Sequence, residues 1–236
     1  MTKQSYAIVF ASSKGGAGKT TAAIVFASEL KRQKIPFSII DADPNKHIYN
    51  WAKGANIERI YTTNEDSIFD DINEKKKESR VVIVDLEGSR NLALSHAVSA
   101  ADFVVIPCNP SDLDGQEAMN VASFIEKQEK VSRRKIRHAL LRTRTQAAYV
   151  TNTEKLIIED FKNAGREILE NRLIEREAYK NIISYHCCTH ELEGKDKRQA
   201  EAIQKAVDGG NKLAIEIIKK CDVKVSQKEK EVEYAN

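Results

Sequence analysis

A chain of 236 residues, 41% apolar and 31% charged, has the size and apolar content of a single α/β domain with a substantial core. Its net charge of +3 is too mild to name a nucleic-acid partner by itself, and the absence of an apolar run of about 18 residues excludes a membrane-spanning helix. Cys108, Cys187, Cys188 and Cys221 show no disulfide framework, and only five residues precede the first strand, so the expectation is a cytoplasmic protein without a signal peptide.

The chain opens with an apolar run, 6–11, that reads as a fully buried strand. An Ala-rich stretch, 20–33, has helical spacing, with Ile24, Phe26, Ala27 and Leu30 on its inner side. Pro36 introduces a second strand, 37–40, which ends at Asp41-Ala42-Asp43-Pro44. A helix over 45–53 carries the single tryptophan, Trp51, and 57–61 reads as a short strand. An amphipathic helix over 66–79 turns Ile68, Phe69 and Ile72 inward. The clearest strand, 80–84, ends in Asp85-Leu86-Glu87-Gly88.

A helix over 91–100 leads to a strand at 103–106, stopped by Pro107. The long helix 114–131 has Ser111 or Asp112 as its cap. A strand at 136–141, a helix at 152–164, a weak strand at 168–173 and helices at 175–184 and 198–220 complete the fold. Residues 1–221 therefore read as one domain, and 222–236 as a polar tail that frays. Strands alternate with helices, and most strands are continuous apolar runs. That pattern gives a mostly parallel, twisted sheet with helices on both faces.

Ligands of such sheets sit beyond the carboxyl ends of the strands. Lys14-Gly15-Gly16-Ala17-Gly18-Lys19-Thr20-Thr21 lies there, between a strand and a helix. Glycines at this place let backbone N–H groups surround an anion at the positive end of a helix dipole. Lys19 can reach terminal phosphates, and the Thr20 hydroxyl suits Mg2+, a hard cation. Asp41, Asp43 and Asp85 fall at other strand ends. Asp85 fits a Mg2+ carboxylate; of Asp41 and Asp43, one could orient the metal's waters and the other the attacking water. Taken singly, each Asp reads more readily as a turn or helix cap, and it is the phosphate loop that favours the functional reading of the set. Lys14 differs from Lys19, because a second cation on the same phosphates would cost desolvation. At the loop entrance it could reach a nucleotide in a facing subunit and couple ATP binding to dimer formation.

These motifs resemble the deviant Walker A ATPases of the ParA/MinD family. Lys14–Thr21 matches the signature loop, Asp41-Ala42-Asp43-Pro44 the DxDP motif and Ile83-Val84-Asp85 the Walker B strand. Weaker matches follow in order: Val105-Ile106-Pro107 with Leu113-Asp114, then Leu140 to Arg144, then Leu173 to Tyr179, the last similar to small ParA proteins of the ParF and VirC type. The resemblance implies a slow, Mg2+-dependent ATPase. Lys14 would act across an ATP-sandwich homodimer, and Gly15, Gly16, Ala17, Gly18, Lys19, Thr20 and Thr21 would hold phosphates. Asp43 would support hydrolysis, with Thr20, Asp41 and Asp85 at the metal. Thr143, Arg144 and the loop from Pro107 to Asp114 would lie near the base or the dimer seam. Asn45 stands where the family usually has Gln, and no NKxD follows a late strand, so ATP is expected over GTP.

The same resemblance sorts the partners. The tail lacks the bulky apolar residues of a membrane-binding helix, so no membrane is expected. His186-Cys187-Cys188-Thr189-His190 lacks zinc-ligand spacing and reads as a packed loop. No N-terminal helix-turn-helix is expected before the first strand. Nonspecific nucleoid DNA is then the expected partner of the ATP-bound dimer, contacted by Lys195, Lys197, Arg198, Lys205, Lys212, Lys219 and Lys220. A solvated helix face is the plain alternative for that run. A ParB-like or small DNA-binding adaptor would stimulate hydrolysis, and plasmid partition is the implied task. DNA transfer or protein-cargo positioning of the VirC kind is the alternative, and a metabolic amide-forming ligase a more distant one.

Overall fold

The computed structural model describes residues 4–88 and 92–233, with side chains described as far as Cys221. The strands are β1 (Tyr6–Phe10), β2 (Phe37–Ala42), β3 (Ile60–Thr62), β4 (Val81–Leu86), β5 (Phe103–Cys108) and β6 (Arg137–Arg142). The helices are α1 (Lys19–Arg32), α2 (His47–Gly54), α3 (Ile68–Glu78), α4 (Leu92–Ala100), α5 (Asp112–Ser132), α6 (Asn152–Asn163), α7 (Glu177–Tyr185) and α8 (Lys197–Glu233), with a 3-10 turn at Thr189–Glu191.

Among the described residues the six strands form one sheet in the order β3-β2-β4-β1-β5-β6, every pair parallel. Successive strand residues face opposite sides, so each continuous apolar run feeds two cores. Tyr6, Ile8, Phe10, Val81, Ile83, Phe103 and Val105 face α1, α2, α7 and α8. Ala7, Val9, Val82, Val84, Val104 and Ile106 face α3, α4, α5 and α6. Phe10 packs on Phe26 with ring centroids 6.1 Å apart, and fully buried Trp51 donates its indole N–H to the Cys187 carbonyl at 3.0 Å.

Four local expectations need correction. The strand at 103–106 does not stop at Pro107 but runs to Cys108. Pro107 shares the parity of Val105, whose carbonyl accepts from Ala11 N at 3.0 Å. Its missing N–H therefore faces the side where β1 has already ended. The strand expected at 57–61 is displaced to Ile60–Thr62. The one expected at 168–173 is reduced to a bridge between Leu140 and Ile168, although Leu169 N still donates to Leu140 O at 2.9 Å. Arg142 explains part of that: its guanidinium donates to the carbonyls of Leu169 and Glu170, which a ladder would otherwise use. Finally, the backbone of α8 continues through 222–233 rather than fraying. The Lys, Glu and Gln residues there are strong helix formers.

Ser111, expected as a cap, accepts from Asp114 N at 3.2 Å and starts α5. Thr151 does the same for α6 through Glu154 N. The His186–His190 segment packs on α1, where Thr189 N donates to the buried Ser28 hydroxyl at 3.1 Å.

Candidate nucleotide site

β1 ends at the edge of the phosphate loop and α1 begins at Lys19, so the loop is stretched between two rigid elements. Gly16 and Gly18 take φ of 85° and 88°, a region costly for any residue with a Cβ. A Cβ on Gly18 would also come within 3.3 Å of Thr143 Cβ. The loop is tied down from outside. Asn109 Nδ2 donates to Gly16 O at 3.0 Å, and the Thr143 hydroxyl lies 2.9 Å from both Ala17 O and Asn109 Oδ1. Asn109 falls within the 107–114 loop that the resemblance places near the base or the dimer seam, although that reading did not single it out.

The two lysines are placed differently. Lys19 is buried, and its Nζ donates to Ser12 Oγ at 3.1 Å and to Lys14 O at 3.4 Å. Burial lowers its pKa, while Asp85, Asp43 and Glu87 oppose that shift. Lys14 is half exposed and reaches away along the rim, where its Nζ meets Asp114 Oδ1 at 3.0 Å. Burial raises the Asp114 pKa, but hydrogen bonds from Lys14, Ser111 and Asn109 outweigh it and hold the carboxyl below its ordinary value. Ser13, beside Lys14, bonds Glu117 on the same helix.

Of the acidic residues, Asp85 is fully buried. Its Oδ2 accepts from the Thr20 hydroxyl at 2.7 Å, and its Oδ1 has no hydrogen-bond partner among the described residues. Desolvation first, then the charges of Asp41 and Asp43, push its pKa up to about 7, against the opposing Thr20 bond and Lys19 charge. An orphaned carboxylate oxygen beside a threonine hydroxyl fits a hydrated Mg2+, which commonly takes one or two protein oxygens and fills its shell with phosphate and water. Asp41 pairs in register with Asp85 across β2 and β4. It uses both oxygens on backbone amides, accepting from Asp43 N at 2.9 Å and Tyr49 N at 3.0 Å. Asp41 thus holds the β2–α2 turn in this structure. Asp43 accepts from Asn45 N and Asn45 Nδ2, which gives the unusual Asn45 a local role.

Beside the loop lies a cavity of about 390 Å³. Gly18 and Thr21 line one part, Thr143 and Arg144 another, and the 173–176 segment with Tyr179, Lys180 and Ile183 of α7 the rest. Its position at the start of α1 suits the nucleoside of a nucleotide whose phosphates lie in the loop. Thr143 and Arg144 are thereby brought to the site. Pro107 is not; it stays inside β5 and lines no part of the cavity. The 173–179 wall had a sequence signal only as a weak family match.

Gly88 closes the other side of the loop. A Cβ there would lie 2.6 Å from Gly15 N and from the Lys14 carbonyl carbon. The chain leaving Asp85 therefore touches the peptide that precedes the phosphate glycines.

The basic candidates lie elsewhere, on α8 and just before it. Arg198, Lys205, Lys212 and Lys219 recur every seven residues and are all exposed. Seven residues make nearly two turns, so they form one stripe with about 10 Å between neighbours. Glu201 and Asp208 flank it. Lys195 and Lys197 are exposed ahead of the stripe, whereas Lys220 is half buried with its Nζ 3.3 Å from Glu167 Oε1.

The parallel sheet, the glycine loop and the β4 aspartate together define a phosphate-loop NTPase fold of ParA/MinD type. Solved structures agree on the fold. Apo McdA of Cyanothece aligns with a TM-score of 0.68 at 17% identity, covering 86% of this chain and 100% of that one. MinD in the MinC:MinD complex of Aquifex aeolicus aligns at 0.66 and 17% identity, covering 89% and 95%. Among curated relatives, Protein ParA of Rhizobium radiobacter is 36% identical over 203 residues, or 84% of this chain and 91% of that one. The VirC1 protein family model matches residues 6–219, and the chain belongs to that family. Among the described residues no helix is long and apolar enough to cross a membrane.

Proposed function

We propose that the protein is an ATP-switched, Mg2+-dependent ATPase that closes into a homodimer, binds nonspecific DNA and serves plasmid partition. The observation that carries this reading is the separation of the two lysines. Lys19 is folded into the phosphate loop, while Lys14 is held at its rim by Asp114, where it can be released toward a second subunit. A solved complex of a Cyanothece McdA variant with ATP and a Borrelia burgdorferi plasmid partition protein bound to AMPPNP share the fold, which favours ATP as the ligand.

In this reading the Gly15–Gly18 amides and Lys19 neutralise the phosphates, and the cavity beside Thr143 and Arg144 takes the nucleoside. Thr20 and Asp85 would hold Mg2+, which supplies charge neutralisation on the phosphates. Asp43 polarises the attacking water, and Asp41 keeps Asp43 in place through its backbone amide. Lys14 leaves Asp114 and meets the phosphates of the facing subunit. The α8 stripe, doubled in a dimer, contacts DNA phosphates. A ParB-like or small DNA-binding adaptor would trigger hydrolysis and release, and until then the dimer would stay on the nucleoid in the cytoplasm.

Retention on nonspecific DNA tests the proposal. Binding is expected with ATP and not with ADP or without nucleotide, and it should weaken steeply as salt rises. Equal retention in all three states contradicts it. A second reading is positioning of transferred DNA, favoured by the match of nearly the whole chain to the VirC1 family. Binding confined to a transfer-origin strand or its protein complex would select that reading.

A further inference from the structure

Tyr179 stands between the nucleoside cavity and α8. It is one of the residues lining the cavity. Its side chain is almost fully buried, and its hydroxyl donates to the Ala206 carbonyl on α8 at 2.8 Å. That carbonyl lies one residue after Lys205 of the basic stripe. It also lies three residues before a consecutive glycine pair, Gly209-Gly210, in the middle of the helix. Two adjacent glycines weaken a helix interior by about 1 kcal/mol each relative to alanine, so their presence needs a reason.

The contacts supply one. A Cβ on Gly209 would lie 3.3 Å from the Tyr179 hydroxyl oxygen. A Cβ on Gly210 would lie 3.0 Å from Val25 Cγ1 and 3.3 Å from Glu29 Cγ, both on α1. Thus α8 packs closely on α7 and α1 at the point where its glycines make it intrinsically weak. α1 is the helix that begins at the phosphate loop, and α7 carries the cavity wall. Both elements that a nucleotide would touch therefore bear on α8 at one spot, between Lys205 and Lys212.

We propose that Tyr179 is a positioning residue that transmits occupancy of the nucleoside cavity to α8 at the Gly209-Gly210 pair, so that the Arg198–Lys205–Lys212–Lys219 stripe is set for phosphate contact only when the cavity is filled. The proposal rests on α8 being the DNA-contacting element. A nucleoside in the cavity packs against α7 and restrains it. The hydroxyl bond passes that restraint to the Ala206 turn, which the glycines leave free to shift. Removing the hydroxyl cuts the link while leaving the cavity wall in place.

The test uses the full chain and Tyr179→Phe, with amide hydrogen exchange read independently of DNA. In the parent protein, ATP should slow exchange across 203–213. In the Phe variant, saturated with a fluorescent ATP analogue so that any change in affinity is removed, the ATP-dependent slowing across 203–213 should vanish, and ATP-dependent DNA retention should fall by about fivefold or more. Gly209→Ala, which adds a methyl against the same hydroxyl, should reduce the ATP response of 203–213 without changing analogue binding. An unchanged ATP response of 203–213 in Tyr179→Phe overturns the proposal. So does a loss that is equal with and without ATP, since that marks a merely structural bond. If the parent shows the exchange response but retains no DNA, the coupling stands and the DNA reading of α8 fails.

Discussion

The phosphate loop and α8 handle positive charge in opposite ways. Lys19 is buried, partly desolvated and fixed by Ser12 and the Lys14 carbonyl, and Lys14 is held by an acid on a neighbouring helix. Arg198, Lys205, Lys212 and Lys219 are exposed and form no ion pair among the described residues. The first arrangement fixes Lys19 for one anion in one place before a ligand arrives and keeps Lys14 paired on Asp114 until it is released. The second keeps its hydration and adapts to a repeating polyanion, gaining from released counterions instead of fixed geometry. Substitutions should therefore act all-or-none at the loop and in graded, salt-dependent fashion on α8.

The largest effect is expected from Lys19→Ala. Removing the buried donor should weaken ATP binding by about a hundredfold, read with a fluorescent analogue. A loss of only a few-fold would mean that the loop glycines alone hold the phosphates. Next, Asp43→Ala should slow hydrolysis by about a hundredfold while leaving nucleotide affinity near that of the parent. Single-turnover kinetics separates those quantities, and a matching loss of affinity would show that Asp43 mainly shapes the turn with Asn45.

On the other side of the comparison, the pair Lys205→Glu and Lys212→Glu should leave ATP binding intact. The slope of log affinity for DNA against log salt should become shallower by about 2. An unchanged slope would place the DNA surface elsewhere. The smallest effect belongs to Asp114→Asn. Because Lys14 is half exposed, its ion pair contributes less than about 1 kcal/mol after solvent screening, so thermal stability should barely move. Dimerisation should nevertheless need less ATP, because Lys14 no longer has to leave a charged partner.

Much of this was legible in the residues. The continuous apolar runs of β1, β4 and β5 can be satisfied only in a sheet covered on both faces, and the glycine loop between strand and helix has one common use. Asp85 was legible for the same reason, as an acid at the end of an unmistakable strand. What escaped depends on distant pairing. The 107–114 loop was expected near the site, but nothing local to Asn109 picks it out as the residue that meets Gly16 and Thr143, and nothing in 168–173 says that Arg142 will take its carbonyls. Pro107 misled because its missing N–H matters only where a neighbour strand is present, and β1 had already ended there. Asp41 follows the turn-cap reading that an acid at a strand end carries when taken singly, and not the metal reading suggested by the set: both of its oxygens accept from amides of the following turn.

The central claim is that Lys14 serves the partner subunit's nucleotide and Lys19 its own. Sedimentation of Lys14→Ala with saturating ATP and Mg2+, beside the parent protein, tests it most directly. The account predicts that the variant binds ATP with nearly unchanged affinity and remains a monomer while the parent becomes a dimer. An ATP-dependent dimer of Lys14→Ala as stable as the parent's would contradict it.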